Sequence, residues 1–557
     1  MPALDWSLAL WLVLAAVMVF LVASPLSRLF IDSFSDPQTG AFTFGNIIDI
    51  ASRERYLTAY LHTLELAGAT VAISLFLALP MAWAVSRTNL WGRGVFYFGV
   101  IGAFIMPPFL GAIGWILLAG PNAGWLNQAW RALTGAEAPL LDVFTFWGLA
   151  FVIALHVFPL IFIFATSALD LISSEMEEAA AIHGAGPMRA TWAVTLPLAL
   201  PAIMGAGMLV FLETMALYGT PALIAIPARF NVATTQLTVF FNYPARVELA
   251  MAFSLPLVLV TVVLLLAQRL LLRGGHVAVS GKGGARQPLD IGRWRYLLFA
   301  HGAVVTLLAV VLPAGMLLAT SFSVAWAQPP TLSNLTFDNY HRILFEQATV
   351  RDAMLNTVSF SLSAATICTV LGFATAYLVI RRLLPFASLL AFVAVAPVAI
   401  PGVVLAICFY AAYAGPPLSL YGSGALVVLA FVTRFLPIAF VACASGVRSL
   451  NPEMEEAVRI HGGSRFRALY EVVGPVLKKS LLGVWILVFV ISSRELSTAL
   501  FLTSHQNRVI SILTLDLSEQ GHYETLAAMG VALLAVTTAV VGIGMRLLGR
   551  DFMLRRN

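Results

Sequence analysis

EMEEAAAIHGAGPMRATWAVTLP, running from Glu175 to Pro197, recurs as EMEEAVRIHGGSRFRALYEVVGP from Glu453 to Pro475, at a constant offset of 278 residues. Twelve of the 23 aligned positions are identical, where unrelated segments of average composition would share about one or two. Both copies are charged and carry glycine, yet very apolar runs flank each of them. The repeated object is therefore a polar loop set in each of two equivalent bundles of membrane helices.

The repeat extends on both sides of the loop. Pro159 matches Pro437, and Gly219-Thr220 matches Ser497-Thr498, at the same offset of 278. AWAVSR, ending at Arg87, matches AYLVIR, ending at Arg381, at an offset of 294, and NYPARVELA near Tyr243 resembles EQGHYETLA near Gly521. Whole halves are duplicated. At 557 residues, 60% hydrophobic and 11% charged, with a mean hydropathy of +0.91, the chain has too little polar surface to cover a soluble globule. Apolar runs of roughly 20 residues argue helices, because barrel strands are shorter and alternate strictly.

The expected fold is thus all-α and polytopic. Twelve apolar windows fall near 6–30, 61–86, 95–119, 144–169, 199–226, 248–272, 296–320, 354–380, 385–413, 424–445, 480–502 and 525–548. They divide into a first half, 1–272, and a second half, 296–557, joined by a Gly-rich basic linker at 273–295. Six spans per half put both halves in the same orientation, a parallel repeat with the natural place for a pathway between them. With the N-terminus cytoplasmic, that side carries 21 of the 32 Lys and Arg residues, against nine opposite and two inside helices. The positive-inside rule then places both termini and both repeated loops in the cytoplasm. The first apolar run lacks a basic leader region and exceeds the length of a signal-peptide core, so it is expected to stay as a membrane helix.

Other chemistries find little support. The linker's Gly-Lys pair misses the P-loop spacing, and Gly283 stands where Ser or Thr is required. Cys368, Cys408 and Cys443 lie singly in apolar runs and read as packing residues. Neither a catalytic nor a metal-ligating constellation is expected, and no nucleic-acid partner. Energy must come from a partner or an ion gradient.

The loop resembles the EAA signature of binding-protein-dependent ABC importer permeases: EAA, three residues, Gly, nine residues, then Ile-x-Leu-Pro. The first copy has Glu178-Ala179-Ala180, Gly184 and Val194 to Pro197 at that spacing; the second has Glu456-Ala457-Val458, Gly462, Val472 and Pro475, with Gly474 in place of the Leu. From the residues themselves, Ser173 or Ser174, and Asn451 with Pro452, can start a short helix whose first turn bears Glu175, Glu177 and Glu178, or Glu453, Glu455 and Glu456. Gly184 and Gly462 can end it in the left-handed conformation. A second short helix follows to the proline, which makes a compact elbow.

What the resemblance implies is that these elbows insert into grooves of two ABC ATPase subunits, with Glu177, Glu178, Ala179, Ala180, Gly184, Pro197, Glu455, Glu456, Ala457, Gly462 and Pro475 coupling transport to ATP hydrolysis. The chain itself would be non-catalytic and bind no cofactor, ATP and Mg residing on the partner. A periplasmic solute-binding protein would deliver the ligand at a bacterial inner membrane, and one fused chain would serve each transporter. Fused permeases of this kind resemble ferric-iron importers; thiamine, 2-aminoethylphosphonate, polyamine and oxyanion importers are the alternatives. An ion-coupled secondary transporter of duplicated halves is the reading from another class, though it has no need of two elbows.

His156, Glu213, Arg434, Arg494 and Glu495 fall inside apolar spans, where ionisable side chains face a bundle interior or an aqueous cavity. They are the pathway candidates, with internal ion pairing of Arg434 or Arg494 to Glu213 or Glu495 as the alternative. His156 and Arg434 are equivalent at offset 278, each three residues before a matching proline. Met106-Pro107-Pro108 and Ala396-Pro397 to Pro401-Gly402 read as kinks within single spans, with helix breaks near the pathway as the alternative.

Overall fold

The computed structural model describes residues 6–242, 244–274, 288–328, 331–384 and 386–548. The central part of the expected linker, 275–287, and Tyr243 lie outside them. Among the described residues, ten helices are long and apolar enough to cross a membrane: α1 (Leu8–Ser33), α2 (Glu54–Arg87), α4 (Phe146–Leu171), α5 (Met188–Ala216), α6 (Val247–Leu271), α7 (Trp294–Ser321), α8 (Ala348–Ile380), α10 (Gly424–Ser449), α11 (Arg465–Ser493) and α12 (Tyr523–Gly544). The remaining two spans are bent pairs. In α3, Arg93–Ile105 meets Pro108–Ala119 at 105°, and in α9, Ala387–Ala399 meets Gly402–Tyr413 at 113°.

The Pro-rich segments read as kinks are therefore breaks. Consecutive Pro107 and Pro108 remove two amide donors, so the carbonyls of Ala103 and Phe104, four residues back, lose their helical partners. The chain turns sharply and restarts with Pro107 as the residue before the new helix. Pro401 stands in the same place before Gly402 in α9.

Each bent pair still completes one crossing. Arg87, ending α2, lies 3.4 Å from Glu177 just after α4, and Arg381 lies 2.6 Å from Glu455 just after α10. The ends of α2 and α4 thus share one side of the bundle. Since α4 crosses once, α3 must cross too; twelve crossings result, and both elbows face the same way.

Prolines also shape the spans that enter each half. Val19–Ala23 and Leu307–Val311 are single wide turns of π type, each followed by a proline, Pro25 or Pro313. These first helices are exchanged between halves in part, each also packing on the last span of its own half. α1 packs on α9 and α10 of the second half, where the Thr433 hydroxyl donates to the Leu21 carbonyl (3.1 Å) that Pro25 deprives of its helical donor, and Tyr413 donates to the Phe20 carbonyl. α7 packs on α2 and α3 of the first half, with Thr306 donating to the Val95 carbonyl (3.2 Å). Glycines let the backbones approach: a Cβ at Gly102 would sit 2.9 Å from Val310, and one at Gly114 2.6 Å from Pro313.

The described end of the linker is clipped to α2. Leu289 N–H donates to the Arg87 carbonyl (2.9 Å), Asn89 N–H to the Leu289 carbonyl (3.0 Å), and the Asn89 amide to Asp290 (2.9 Å). The Gly292 N–H and then Asn89 hold the Asp290 carboxyl below its ordinary range.

Candidate functional site: two anchored elbows and a cavity between the halves

The first elbow is Ser174–Ile182 followed by Pro187–Ala190; the second is Glu453–Ile460 followed by Arg465–Ala468. Their starts are equivalent: Ser173 Oγ accepts from Glu175 N–H (3.3 Å) and Asn451 Oδ1 from Glu453 N–H (3.1 Å). Their ends are too. Gly184 at φ +82° and Gly462 at φ +80° adopt the left-handed conformation, and the next residue's N–H returns to Ala180 (3.0 Å) or Val458 (2.9 Å). Pro197 and Pro475 follow five-residue π turns, Thr191–Thr195 and Leu469–Val473, where the missing N–H and ring bulk widen the helix at entry to α5 and α11.

Glu177 and Glu455 do not face solvent: both are buried at 8% exposure and aim into the bundle. Glu455 accepts from Arg381 Nε (2.7 Å) and from the Tyr377 hydroxyl (2.7 Å), with Arg381 Nη2 2.6 Å from the same carboxylate and donating to the Leu450 carbonyl (3.1 Å). Glu177 accepts from the Thr195 hydroxyl (2.5 Å) and from Arg87 Nη1 at 3.4 Å. Position favours both pairs electrostatically, because each carboxylate lies in the first turn of its helix and each arginine at or just beyond the C-terminal end of a long span. These glutamates fix the elbow to the bundle.

The outward surface is different. Ala179, Ala457 and Glu456 are exposed and Ala180 is half-buried; the Glu178 side chain lies outside the described part. Around them stand exposed apolar residues that sequence reasoning had not singled out: Met176, Ile182, Met188 and Trp192 on the first elbow, Met454, Ile460, Phe466 and Tyr470 on the second. The two sets coincide at the offset of 278, and that coincidence is the signal that could have found them. Ile182 and Ile460, at 84% and 82% exposure, are the most prominent.

All five intramembrane polar candidates line one partly open cavity at the junction of the halves. His156 comes from α4, Glu213 from α5, Arg434 from α10, and Arg494 and Glu495 from the end of α11. The arginines bond backbone carbonyls rather than carboxylates. Arg434 donates to Ile400 (2.7 Å) at the break in α9, and Arg494 donates to Phe104 at the break in α3, its guanidinium 4.7 Å from the Phe104 ring centre. His156 lies beside the same break, lining with Ala103, Pro107 and Pro108 a small pocket next to the cavity. Glu495 Oε1 accepts from the Thr498 amide (2.8 Å) and hydroxyl (3.0 Å), while Glu213 is exposed toward the cavity. Internal Arg–Glu pairing is thus replaced by capping of broken helices.

Comparison with known proteins bears on the same architecture. A ferric transport system permease protein, FbpB, of Actinobacillus pleuropneumoniae is 26% identical over 94% of this chain and 75% of its own length. A putative 2-aminoethylphosphonate transport system permease protein, PhnU, of Salmonella paratyphi A is 31% identical over 39% of this chain and 75% of its own length. The solved structure of a bacterial ABC transporter that imports alginate matches 46% of this chain and 96% of that one, at 16% identity and a TM-score of 0.37. The model of the binding-protein-dependent transport system inner membrane component family matches twice, at residues 67–274 and 368–553, once in each half and spanning both elbows. The chain belongs to that family, with two permease halves on one polypeptide.

Proposed function

We propose that this ABC importer permease carries ferric iron delivered by a periplasmic solute-binding protein, and that its two elbows couple the halves to two ATPase subunits on the cytoplasmic side. One observation carries the coupling: two equivalent elbows present matching exposed apolar sets, and each is tied by a buried Arg–Glu contact to the span beneath it. A surface that receives force from a partner needs both an apolar docking face and a stiff connection to what it moves. ATP and Mg belong to the partner; the permease supplies no catalytic group, and a single chain provides both docks. The termini, on the elbow side of the twelve crossings, are cytoplasmic in this reading.

Iron is favoured by the ferric transport permease of A. pleuropneumoniae, similar across nearly the whole chain. The cavity sets two guanidiniums against two carboxylates, a poor resident site for a hard cation, so the reading gives ligand choice to the binding protein. Arg434 and Arg494 on the wall favour a second reading, an anionic solute such as 2-aminoethylphosphonate. Uptake by cells with and without the chain separates them: radiolabelled ferric citrate accumulating only with the chain supports iron, and phosphonate uptake alone replaces it. An ATPase that co-purifies with wild type but not with a Gly184/Gly462 double substitution supports the coupling, whereas uptake abolished by a protonophore at constant ATP favours an ion-driven carrier.

A further inference from the structure

Arg434 and Arg494 do the same chemical job in different places. Both follow or sit within spans of the second half and both donate to a carbonyl at a broken span, yet Ile400 lies in Arg434's own half and Phe104 lies in the other. We propose that Arg494 is the latch of the pathway, a positioning residue that holds the halves together around the cavity and lets go when they separate.

The acceptor explains why such a bond is strong when closed. Pro108 leaves the Phe104 carbonyl without its helical donor, and an unsatisfied carbonyl away from water is costly. Arg494 supplies a charged donor and lies over the Phe104 ring as well. Its location explains release: the residue follows Ser493, the last helical residue of α11, so movement of α11 relative to α3 displaces the guanidinium directly. Water entering an opened cavity would satisfy the carbonyl, and Glu213 and Glu495 on the same wall offer the freed cation new partners. The Arg434 bond does not cross the halves and should persist through the same motion.

The inference rests on the cavity being the translocation path, and its test keeps the two apart. The full-length chain, with Cys368, Cys408 and Cys443 replaced by Ala, receives a single reporter, Ser497→Cys or Leu217→Cys, both on the cavity wall. Whole cells carrying the complete transporter are treated with a charged, membrane-impermeant thiol reagent. Arg494→Ala should label about tenfold faster than the parent or more, as expected for loss of a hydrogen bond to a charged donor. Arg494→Lys should fall between, and Arg434→Ala should stay near the parental rate. Equal rates for Arg494→Ala and parent overturn the latch, as does equal acceleration by Arg434→Ala, which would mean general loosening. Failure of both Arg494 variants to fold also overturns it, since a contact released in every cycle cannot be required by every state. Separately, label attached at Ser497→Cys should block uptake of radiolabelled ferric iron or 2-aminoethylphosphonate; efficient labelling with unimpaired uptake of either refutes the pathway reading, not the latch.

Discussion

The two elbows share a sequence, a turn geometry and an exposed apolar face, but not the way they are fastened. Glu455 is gripped from below by Tyr377 near the end of α8 and Arg381 just past it, the hydroxyl and Nε each donating at 2.7 Å. Glu177 has its short contact with Thr195, at the entry of α5, while Arg87 stands off at 3.4 Å with Nε and Nη2 lacking hydrogen-bond partners despite complete burial. Trp83 occupies the place of Tyr377 and donates instead to Thr191 (3.2 Å). The same loop is therefore fastened to different spans: to α8 in the second half, and chiefly to α5 in the first. Duplication preserved the loop and let the fastening diverge.

The strongest way to break this comparison is Arg381→Ala. It leaves Glu455 buried with one hydroxyl partner, and removal of one member of a buried pair costs about 3–5 kcal/mol. Amide exchange at 451–468 should rise sharply and coupled ATP hydrolysis should collapse, with Arg87→Ala doing clearly less at 174–190; equal exchange in the two variants would refute unequal fastening. A sharper test removes each pair together. Arg87→Met with Glu177→Gln should be tolerated better than Arg381→Met with Glu455→Gln, by about 2 kcal/mol in thermal unfolding, because the first exchange also discards unsatisfied buried donors. Smaller and symmetric effects are expected at the turns: Gly184→Val and Gly462→Val each force a β-branched residue to positive φ, at about 1–2 kcal/mol, seen as loss of ATPase co-purification with normal membrane levels. Least of all, Tyr377→Phe and Thr195→Val each delete one hydrogen bond worth about 1 kcal/mol; a much larger effect from Thr195→Val would make it the principal anchor of the first elbow.

Much of this was legible because membrane insertion writes itself into long apolar windows and the duplication supplies an internal alignment. The windows at 95–119 and 385–413 were located, but a proline alone does not distinguish a kink from a break. The orphaned carbonyls need capping groups from distant spans before a turn above 100° becomes stable, and those groups are tertiary. The family resemblance placed Glu177 and Glu455 among the coupling residues without saying which side chains of the loop face inward. Their inward aim was recoverable from a second repeat already visible, Arg87 with Arg381, since a buried carboxylate in a half that repeats must find a cation that repeats. The exchange of α1 and α7 had no such trace: apolar helices advertise that they are buried, not against whom.

That exchange bears on how the chain is made. The groove along α3 at Gly99, Gly102 and Gly114 is filled by α7, which leaves the ribosome roughly 200 residues later, or about 10–40 s at ordinary rates of synthesis. For that interval the first half waits in the bilayer with its companion unmade. A chain severed at the linker into separately expressed halves would meet the same delay as a diffusional search, so fusion into one polypeptide acts as a timetable as much as a tether.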